Sequence, residues 1–326
     1  MKRYGALALA CATLLASGCS AIKEVAQSAM SDEEARSVAT EYVTAFNAAA
    51  PAYDIGAVKR IETGSLLEGR EAEFKVLEKN DYKFTERRVM KEVMVPMMSN
   101  YPKWFAAPVR SKVPGESGEY EDLMIFVQEK EGAPWLAASS ATVDPEVEEV
   151  LGSAVKPETV PEVADANDGG LVMPPAKLPA AHAHAIRYGA KSPQTDRFSG
   201  SQDTTDEYKL LMEAHTFFKK SRWAGKTTVS AAPHPSYALR TQSGGALVFY
   251  AVDIKGSYKA VSRAADEVSW SNDWGELYPG LVGKTHLRRK VTRVERNEYV
   301  AYVPPEGQGK IRVVAARWTP VGVKGT

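Results

Sequence analysis

The first 18 residues of the chain set the strongest limit on where and how the rest of it folds. Lys2 and Arg3 precede an uncharged apolar run at residues 6–16, and small residues follow up to Cys19. A basic start, a short apolar core and a small-residue cleavage site are typical of a secretory signal. The apolar run is shorter than the roughly 20 residues that a membrane-spanning helix needs. We therefore expect residues 1–18 to be removed and the remainder to fold outside the cytoplasm.

The sequence Leu15-Ala16-Ser17-Gly18-Cys19 resembles the lipobox of bacterial lipoproteins, although Ala16 stands where that family prefers leucine. The resemblance implies that the Cys19 thiol carries a diacylglyceryl group, with palmitate as an expected acyl chain. At about 0.8 kcal/mol per buried CH₂, two acyl chains contribute on the order of 20 kcal/mol to membrane binding. The expected location is the extracytoplasmic face of the cell membrane, with the lipid on Cys19 as the contact.

Composition narrows the class of protein further. Among 326 residues, 44% are hydrophobic and 25% are charged, as in ordinary globular proteins. Lysine plus arginine number 41 and aspartate plus glutamate number 41, so no strong positive field points to nucleic acid, which we exclude as a partner. Because both cysteines, Cys11 and Cys19, lie in or at the end of the signal, the mature chain lacks thiolate ligands and disulfides. We expect no metal and no cofactor.

The length fits about two domains, and a loosely patterned stretch separates them. Proline, glycine and acidic residues are frequent at positions 146–174. The predicted organisation comprises a signal peptide (1–18), a lipidated tether (19–30), an N-terminal α+β domain (31–145), a linker (146–174) and a C-terminal α+β domain (175–326).

Each predicted domain begins with a helical pattern and continues with an alternating one. Ser31 and Glu34 form a capping box ahead of apolar residues at helical spacing, and Thr204 and Glu207 form a second box. Apolar residues at every second position then predict antiparallel strands joined by short turns. The order of elements resembles the cone-like folds of the nuclear-transport-factor-2 and cystatin type. We therefore predict an α+β protein with two tandem cone-like domains, each with helices packed on a curved sheet.

A further resemblance covers roughly residues 175–326. The segments at 237–241, 243–250 and 302–305 resemble the C-terminal domain of unknown function of uncharacterised actinobacterial secreted lipoproteins. These segments are a hairpin turn and a Pro-Pro bend. The resemblance implies a shared fold and location, and it implies no activity and no catalytic residue.

One irregular segment carries the candidate ligand contacts. Trp270, Trp274 and Tyr278 alternate with polar residues that include Asp273 and Glu276. Aromatic rings stack on sugars or peptides while carboxylates bind hydroxyl groups, so these residues are our candidates for binding. The alternative is a lid in which the rings pack down onto the second domain.

A cluster of basic residues follows that segment. On a strand these side chains fall on both faces, which is typical of a solvated strand edge, and facing anionic lipid or wall polymer is the alternative. The cluster comprises Lys284, Arg288, Arg289, Lys290, Arg293 and Arg296.

Histidines give no metal site in the sequence. His182 and His184 are two apart in a predicted helix, so their side chains point to nearly opposite faces, toward solvent or an interface. His215 follows Leu211 on the apolar face of another predicted helix, so we expect it to be buried.

No nucleophile elbow, metal cluster or phosphate loop occurs in the sequence. We therefore predict a non-enzymatic binding or interaction module of the cell envelope, with an envelope protein or a wall component as its partner. The alternatives are an enzyme with an unrecognised acid–base site in a cone pocket and a structural spacer. A pocket with two convergent carboxylates favours the enzyme, and an apolar, filled interior favours the binding module.

Overall fold

The computed structural model describes residues 27–81, 84–90, 92–112, 119–144, 161–269, 277–284 and 286–326. The helices are α1 (Asp32–Ala49), α2 (Ile55–Val58), α3 (Gly64–Lys79), α4 (Leu178–Tyr188), α5 (Glu207–Lys220) and α6 (Leu277–Val282). The strands are β1 (Gln27–Ser28), β2 (Arg87–Met90), β3 (Met97–Met98), β4 (Lys103–Lys112), β5 (Glu119–Gln128), β6 (Leu136–Val143), β7 (Trp223–Ala231), β8 (Tyr237–Arg240), β9 (Ala246–Ala260), β10 (Val268–Ser269), β11 (His286–Leu287), β12 (Lys290–Val303) and β13 (Arg312–Gly325).

The start of α1 agrees with the predicted capping box. The Glu34 N–H donates to Ser31 Oγ at 3.2 Å, and the Ser31 N–H donates to Glu34 Oε2 at 2.9 Å. These bonds satisfy two N–H groups that the first turn otherwise leaves without partners. The buried face of α1 includes Ala39, Tyr42 and Phe46.

The start of α5 differs from the predicted box by three residues. A π-helical turn, Gln202–Asp206, precedes α5, and Thr204 lies buried inside it. The Ser201 N–H donates to Thr204 Oγ1 at 3.0 Å, so Ser201 takes the position that the sequence pattern assigned to Thr204. The extra turn places Asp203 and Glu207 close to strands β12 and β13 of the sheet.

Within the described residues, the main sheet has nine antiparallel strands in the order β2-β4-β5-β6-β13-β12-β9-β7, with β8 also paired to β9. Strands β6 and β13 join the two halves of the chain, through Val143 opposite Ala315 and Thr142 opposite Ala316. The sheet is therefore continuous from the N-terminal half to the C-terminal half.

Side-chain alternation shows that this sheet rolls so that its halves face each other. On β9, Val248 packs with α4, whereas the neighbouring Phe249 packs in a cluster with Trp104 and Ile125 of the N-terminal half. Successive strand residues point to opposite faces, so one face of β9 contacts a helix and the other contacts β4 and β5. The N-terminal helices α1 and α3 cover the opposite face of β4, where Phe105 lies. The elements therefore pack in four layers, in the order helix, sheet, sheet and helix.

The predicted α+β class and the antiparallel sheet are confirmed. Among the described strands the two halves share one sheet, because β6 pairs with β13, and a buried cluster also joins the halves. The predicted linker lies partly outside the described residues, and its described end contacts both halves: Glu162 bridges to Met97 and Val163 bridges to Leu239. The domain boundaries themselves stay a prediction.

Because the halves share a sheet and a buried cluster, we expect them to unfold together. Scanning calorimetry of the full chain should give one transition whose calorimetric and van't Hoff enthalpies agree. The sequence still predicts protease cleavage in residues 144–175, and the fragments should then elute as one particle in gel filtration. Two resolved transitions, or fragments that separate, would show that the halves are independent.

Two histidines lie opposite to expectation. His182 is fully buried, whereas His215 is exposed. Helix α5 buries only Leu211 and Phe218 among its residues, so the face that carries His215 remains in solvent.

The basic cluster is also not a solvated edge along its whole length. Strand β12 lies inside the sheet between β9 and β13, and Arg293 and Arg296 are only 4% and 5% exposed. Each is paired with acid: Arg293 Nη1 lies 2.7 Å from Glu295 Oε1, and Arg296 Nε lies 2.8 Å from Asp253 Oδ1. The described part of the chain contains no helix that is both long and apolar enough to cross a membrane.

Candidate functional site

Most of the predicted site residues belong to parts of the chain that the structure does not describe. Cys19, Trp270, Asp273, Trp274 and Glu276 lie outside the described residues, so their roles stay predictions. The fifth residue of the aromatic segment, Tyr278, is described and is fully buried.

Tyr278 belongs to a buried polar network and presents no surface to a ligand. Its hydroxyl donates to Glu295 Oε1 and accepts from Arg293 Nη1 at 3.2 Å. Burial raises the pKa of the Tyr278 hydroxyl well above its ordinary value, and the Glu295 carboxylate adds to that effect. Tyr278 is therefore buried in this arrangement, and the ligand-contact and lid alternatives for the aromatic segment stay predictions.

The structure reveals a different site beside that network. A pocket of about 710 Å³ lies between α5 with its preceding π-helical turn and strands β12 and β13. We call it the α5–β12 pocket. Its lining comprises Gln202, Asp203, Glu207, Leu210, Leu211, Glu213, Arg293, Glu295, Asn297, Tyr299, Ala316, Arg317 and Trp318.

The floor of the α5–β12 pocket is a row of polar side chains on one face of β12. Arg293, Glu295, Asn297 and Tyr299 are alternate residues, so their side chains share that face, and each is at most 4% exposed. The row spans about 20 Å at 3.4 Å per residue. Buried positions on a central strand are usually apolar, and here four successive ones carry polar groups. This row is therefore a candidate binding surface.

Asn297 is one residue of this row with a buried polar atom that has no hydrogen-bond partner among the described residues. Its Nδ2 donates to Tyr299 Oη at 2.9 Å. Its Oδ1 is buried and has no hydrogen-bond partner among the described residues. A buried acceptor left without a donor costs about 1–3 kcal/mol, so a donor supplied from the pocket would be favourable here.

The opposite wall of the pocket carries carboxylates. No ion pair to Asp203, Glu207 or Glu213 is found within the described ranges, whereas Glu295 on the floor is paired with Arg293. Burial raises the pKa of Glu207 to about 7, and the charges of Glu295 and Asp203 act in the same direction against that of Arg293. Burial, and then the charge of Asp144, raises the pKa of Asp203 to about 6. The wall therefore holds carboxylates that gain from a positive charge.

His182 fixes the turn that presents Asp203. Its Nε2 lies 2.9 Å from the Asp203 backbone oxygen and its Nδ1 lies 2.8 Å from Tyr250 Oη. Since a carbonyl oxygen only accepts, Nε2 carries the proton and Nδ1 accepts from the tyrosine. Burial lowers the pKa of His182 to about 4, so the ring is neutral at physiological pH. His182 is thus a positioning residue for the pocket wall.

A second pocket continues from the first. It has a volume of about 870 Å³, lies against β5 and β6, and shares Gln202, Asp203 and Ala316 with the α5–β12 pocket. Its arginine, Arg110, lies within 3.5 Å of Glu119 and 3.7 Å of Glu121. The guanidinium charge is therefore already matched by acid.

The N-terminal half contains a separate buried charge cluster under α1 and α3. Arg70 lies 2.5 Å from Glu73 and 3.6 Å from Glu62, and its guanidinium packs 4.6 Å from the Phe46 ring centre. Glu73 also accepts from Arg317 Nη2 at 3.0 Å. Because Arg317 lines the α5–β12 pocket, this cluster holds one pocket side chain in place.

Metal binding has no support in the part of the chain that is described. Over those residues no group of three or more histidine, cysteine, aspartate or glutamate side chains is arranged to hold a metal ion.

The raised pKa of Glu207 makes the stability of the fold depend on pH. A raised pKa means that the folded chain keeps a proton that the unfolded chain releases. This contribution to stability is full below about pH 4.3 and is lost as the pH rises through 7.

Glu207→Gln removes the cost of ionisation. It should therefore stabilise the fold more at pH 8.5 than at pH 5, by about 1–3 kcal/mol, in thermal denaturation. The control Glu78→Gln, at an exposed position, should behave alike at both pH values; equal effects of Glu207→Gln at both would contradict the account.

Comparisons with known proteins agree with the predicted class. A family model described as a domain of unknown function (DUF8094) matches residues 26–325, so the chain belongs to this family. An uncharacterised lipoprotein of Streptomyces coelicolor is 28% identical over 261 residues, which cover 73% of this chain and 71% of the relative. An uncharacterised lipoprotein of Streptomyces avermitilis is 25% identical over 272 residues, with 77% and 76% covered. No solved structure matches the chain significantly.

The protein is a lipoprotein with a domain of unknown function, and its lipoprotein relatives imply a membrane-anchored, extracytoplasmic protein.

The pocket was missed at the level of sequence because its residues are scattered along the chain. The one local signal was the alternation of Arg293, Glu295, Asn297 and Tyr299, which reads equally well as a strand with a solvated face. Tyr278 of α6 and the residues of α5 lie over that face, and only the tertiary structure reveals this.

Proposed function

We propose that this protein is a lipid-anchored binding protein on the outer face of the cell membrane, and that its ligand site is the α5–β12 pocket. Cys19 would hold it at the membrane through palmitate and a diacylglyceryl group. The observation that carries the proposal is an open pocket lined by Asn297, whose buried Oδ1 has no donor among the described residues. A ligand N–H or O–H at that position would meet the need.

The experiment compares small molecules that co-purify with the native protein and with a variant. Lipoprotein extracted from membranes in mild detergent would be denatured, and the released molecules would be identified by mass spectrometry. We expect at least one compound at near-equal molar amount with the wild type and a tenfold loss with Asn297→Leu. The control Asn47→Ala changes an amide outside the pocket, which bonds to Arg88 backbone groups, and should retain the compound. A wild type that releases nothing beyond what Asn297→Leu releases would contradict the proposal.

A second candidate is an enzyme that uses the wall carboxylates for acid–base chemistry. It is favoured by one observation: Asp203 and Glu207 line one pocket, and their pKa values of about 6 and 7 lie near neutrality. We place binding first because no ion pair orients either carboxyl among the described residues, and proton transfer needs fixed geometry. Conversion of the co-purified compound by the wild type, abolished in Glu207→Gln, would establish the enzyme instead.

The tandem cone-like arrangement belongs to the same proposal. Among the described residues, the longer helices are α1 and α3 in one half and α4 and α5 in the other, and α3 also packs against β13 of the C-terminal half. We propose that each half is one cone-like unit and that the units meet edge to edge at β6 and β13. The ligand pocket then lies on the outer, helix-covered face of the second unit.

A further inference from the structure

The charge of the α5–β12 pocket defines the chemistry of its ligand. Among the described residues, four carboxylates line it, from Asp203, Glu207, Glu213 and Glu295, against two guanidinium groups. Arg293 lies 2.7 Å from Glu295, and Arg317 donates to Glu73 outside the pocket at 3.0 Å. The positive charges are therefore engaged, and the α5 wall keeps an excess of negative charge.

The spacing of the unmatched carboxylates gives the length of the ligand. Asp203 and Glu213 are ten residues apart along the π-helical turn and α5, or about 15 Å at 1.5 Å per residue. A single ammonium group reaches only one end of such a wall. A chain with separated amino groups places a positive charge beside both.

The surface between these carboxylates suits a methylene chain. Leu210 is 46% exposed and Trp318 is 40% exposed, and both line the pocket. Apolar carbons bury favourably against such side chains, and a tryptophan ring also attracts an ammonium group placed over its face.

The buried acceptor of Asn297 favours a ligand that donates hydrogen bonds. Its Oδ1 is an acceptor and lacks a donor among the described residues. Ammonium groups bring only donors, whereas a carboxylate or phosphate brings only acceptors and would add repulsion from the α5 wall. The charge and length of the α5 wall therefore agree with the Asn297 acceptor.

We infer that the ligand of the α5–β12 pocket is an elongated organic polycation, a linear molecule with two or more amino groups joined by methylene chains. This inference rests on the proposed function and specifies its ligand class. Asn297 Oδ1 accepts from one amino group, Asp203 and Glu213 lie at the two ends, and Leu210 and Trp318 contact the methylene carbons.

Isothermal titration calorimetry tests the inference with spermidine as the probe and butylamine as the one-charge comparison. The full chain is used, purified in detergent at pH 7.5 and moderate salt. We expect the dissociation constant for spermidine to be at least tenfold lower than that for butylamine. We also expect proton release on binding, seen as a dependence of the enthalpy on the buffer, because a nearby cation lowers the pKa of Glu207 from about 7.

Variants separate the pocket from general charge attraction. The double substitution Glu207→Gln with Glu213→Gln should weaken spermidine binding at least tenfold. The matched pair Glu78→Gln with Glu131→Gln removes two exposed carboxylates elsewhere and should leave it unchanged. Trp318→Leu, which keeps an apolar side chain, should weaken binding several-fold, and circular dichroism checks that each variant is folded.

Two outcomes would overturn the inference. One is no spermidine binding. The other is equal loss in both double variants, which means attraction to the whole surface. If spermidine fails while the native protein still releases a compound that Asn297→Leu loses, the ligand class is wrong and the binding function stands. If both experiments fail, the binding function falls as well.

Discussion

Replacing Arg70 with alanine should lower the free energy of unfolding by about 3–5 kcal/mol. Arg70 is 1% exposed and faces Glu62, which is also 1% exposed. Removing one partner of a buried ion pair leaves an uncompensated charge, which costs far more than the loss of a surface pair. Urea denaturation followed by far-ultraviolet circular dichroism measures the change.

Two further variants make this test specific. Arg36→Ala removes an exposed arginine from α1 and should change stability by less than about 0.5 kcal/mol. The double variant Arg70→Met with Glu62→Leu should be more stable than Arg70→Ala, because no charge is then left buried without its partner. If the free energy of unfolding of Arg70→Ala lies within about 1 kcal/mol of the wild-type value, the charges under α1 and α3 are not buried from water.

Cys19→Ala should remove the protein from the membrane fraction and abolish labelling with palmitate. Two acyl chains contribute on the order of 20 kcal/mol, and no described helix offers a substitute that crosses the bilayer. The measurement is fractionation of cells fed labelled palmitate, followed by detection of the protein in membrane and soluble fractions.

Cys11→Ala is the matched control for this test, since Cys11 lies inside the predicted signal and is not expected to receive lipid. That variant should fractionate and label as the wild type does. Membrane recovery with full label in Cys19→Ala would contradict the lipoprotein assignment of this residue.

Local patterns in the sequence predicted local structure well. The box of Ser31 and Glu34 starts α1 at the expected residue, since both bonds form within four residues of each other. The α+β class followed from helical and alternating patterns that each element carries by itself. The capping signal near Thr204 was displaced because three neighbouring hydroxyl residues, Ser201, Thr204 and Thr205, compete for the same role.

Features that depend on distant pairing were not visible. His215 shares an apolar spacing with Leu211, yet burial of α5 depends on how it is tilted against the sheet, and its described contacts leave His215 in solvent. His182 is buried because Tyr250 and the backbone of Asp203 satisfy both ring nitrogens, from 68 and 21 residues away. Likewise, two residue pairs between β6 and β13 turned two expected sheets into one. The candidate pocket arises from these same long-range contacts.

A crystal structure of the lipoprotein purified from its native membrane, without added ligand, tests the central claim most directly. The account predicts continuous density in the α5–β12 pocket, within hydrogen-bond distance of Asn297 Oδ1 and in contact with the Trp318 ring. A pocket filled by the chain's own side chains, with Asn297 Oδ1 bonded to one of them, would contradict it.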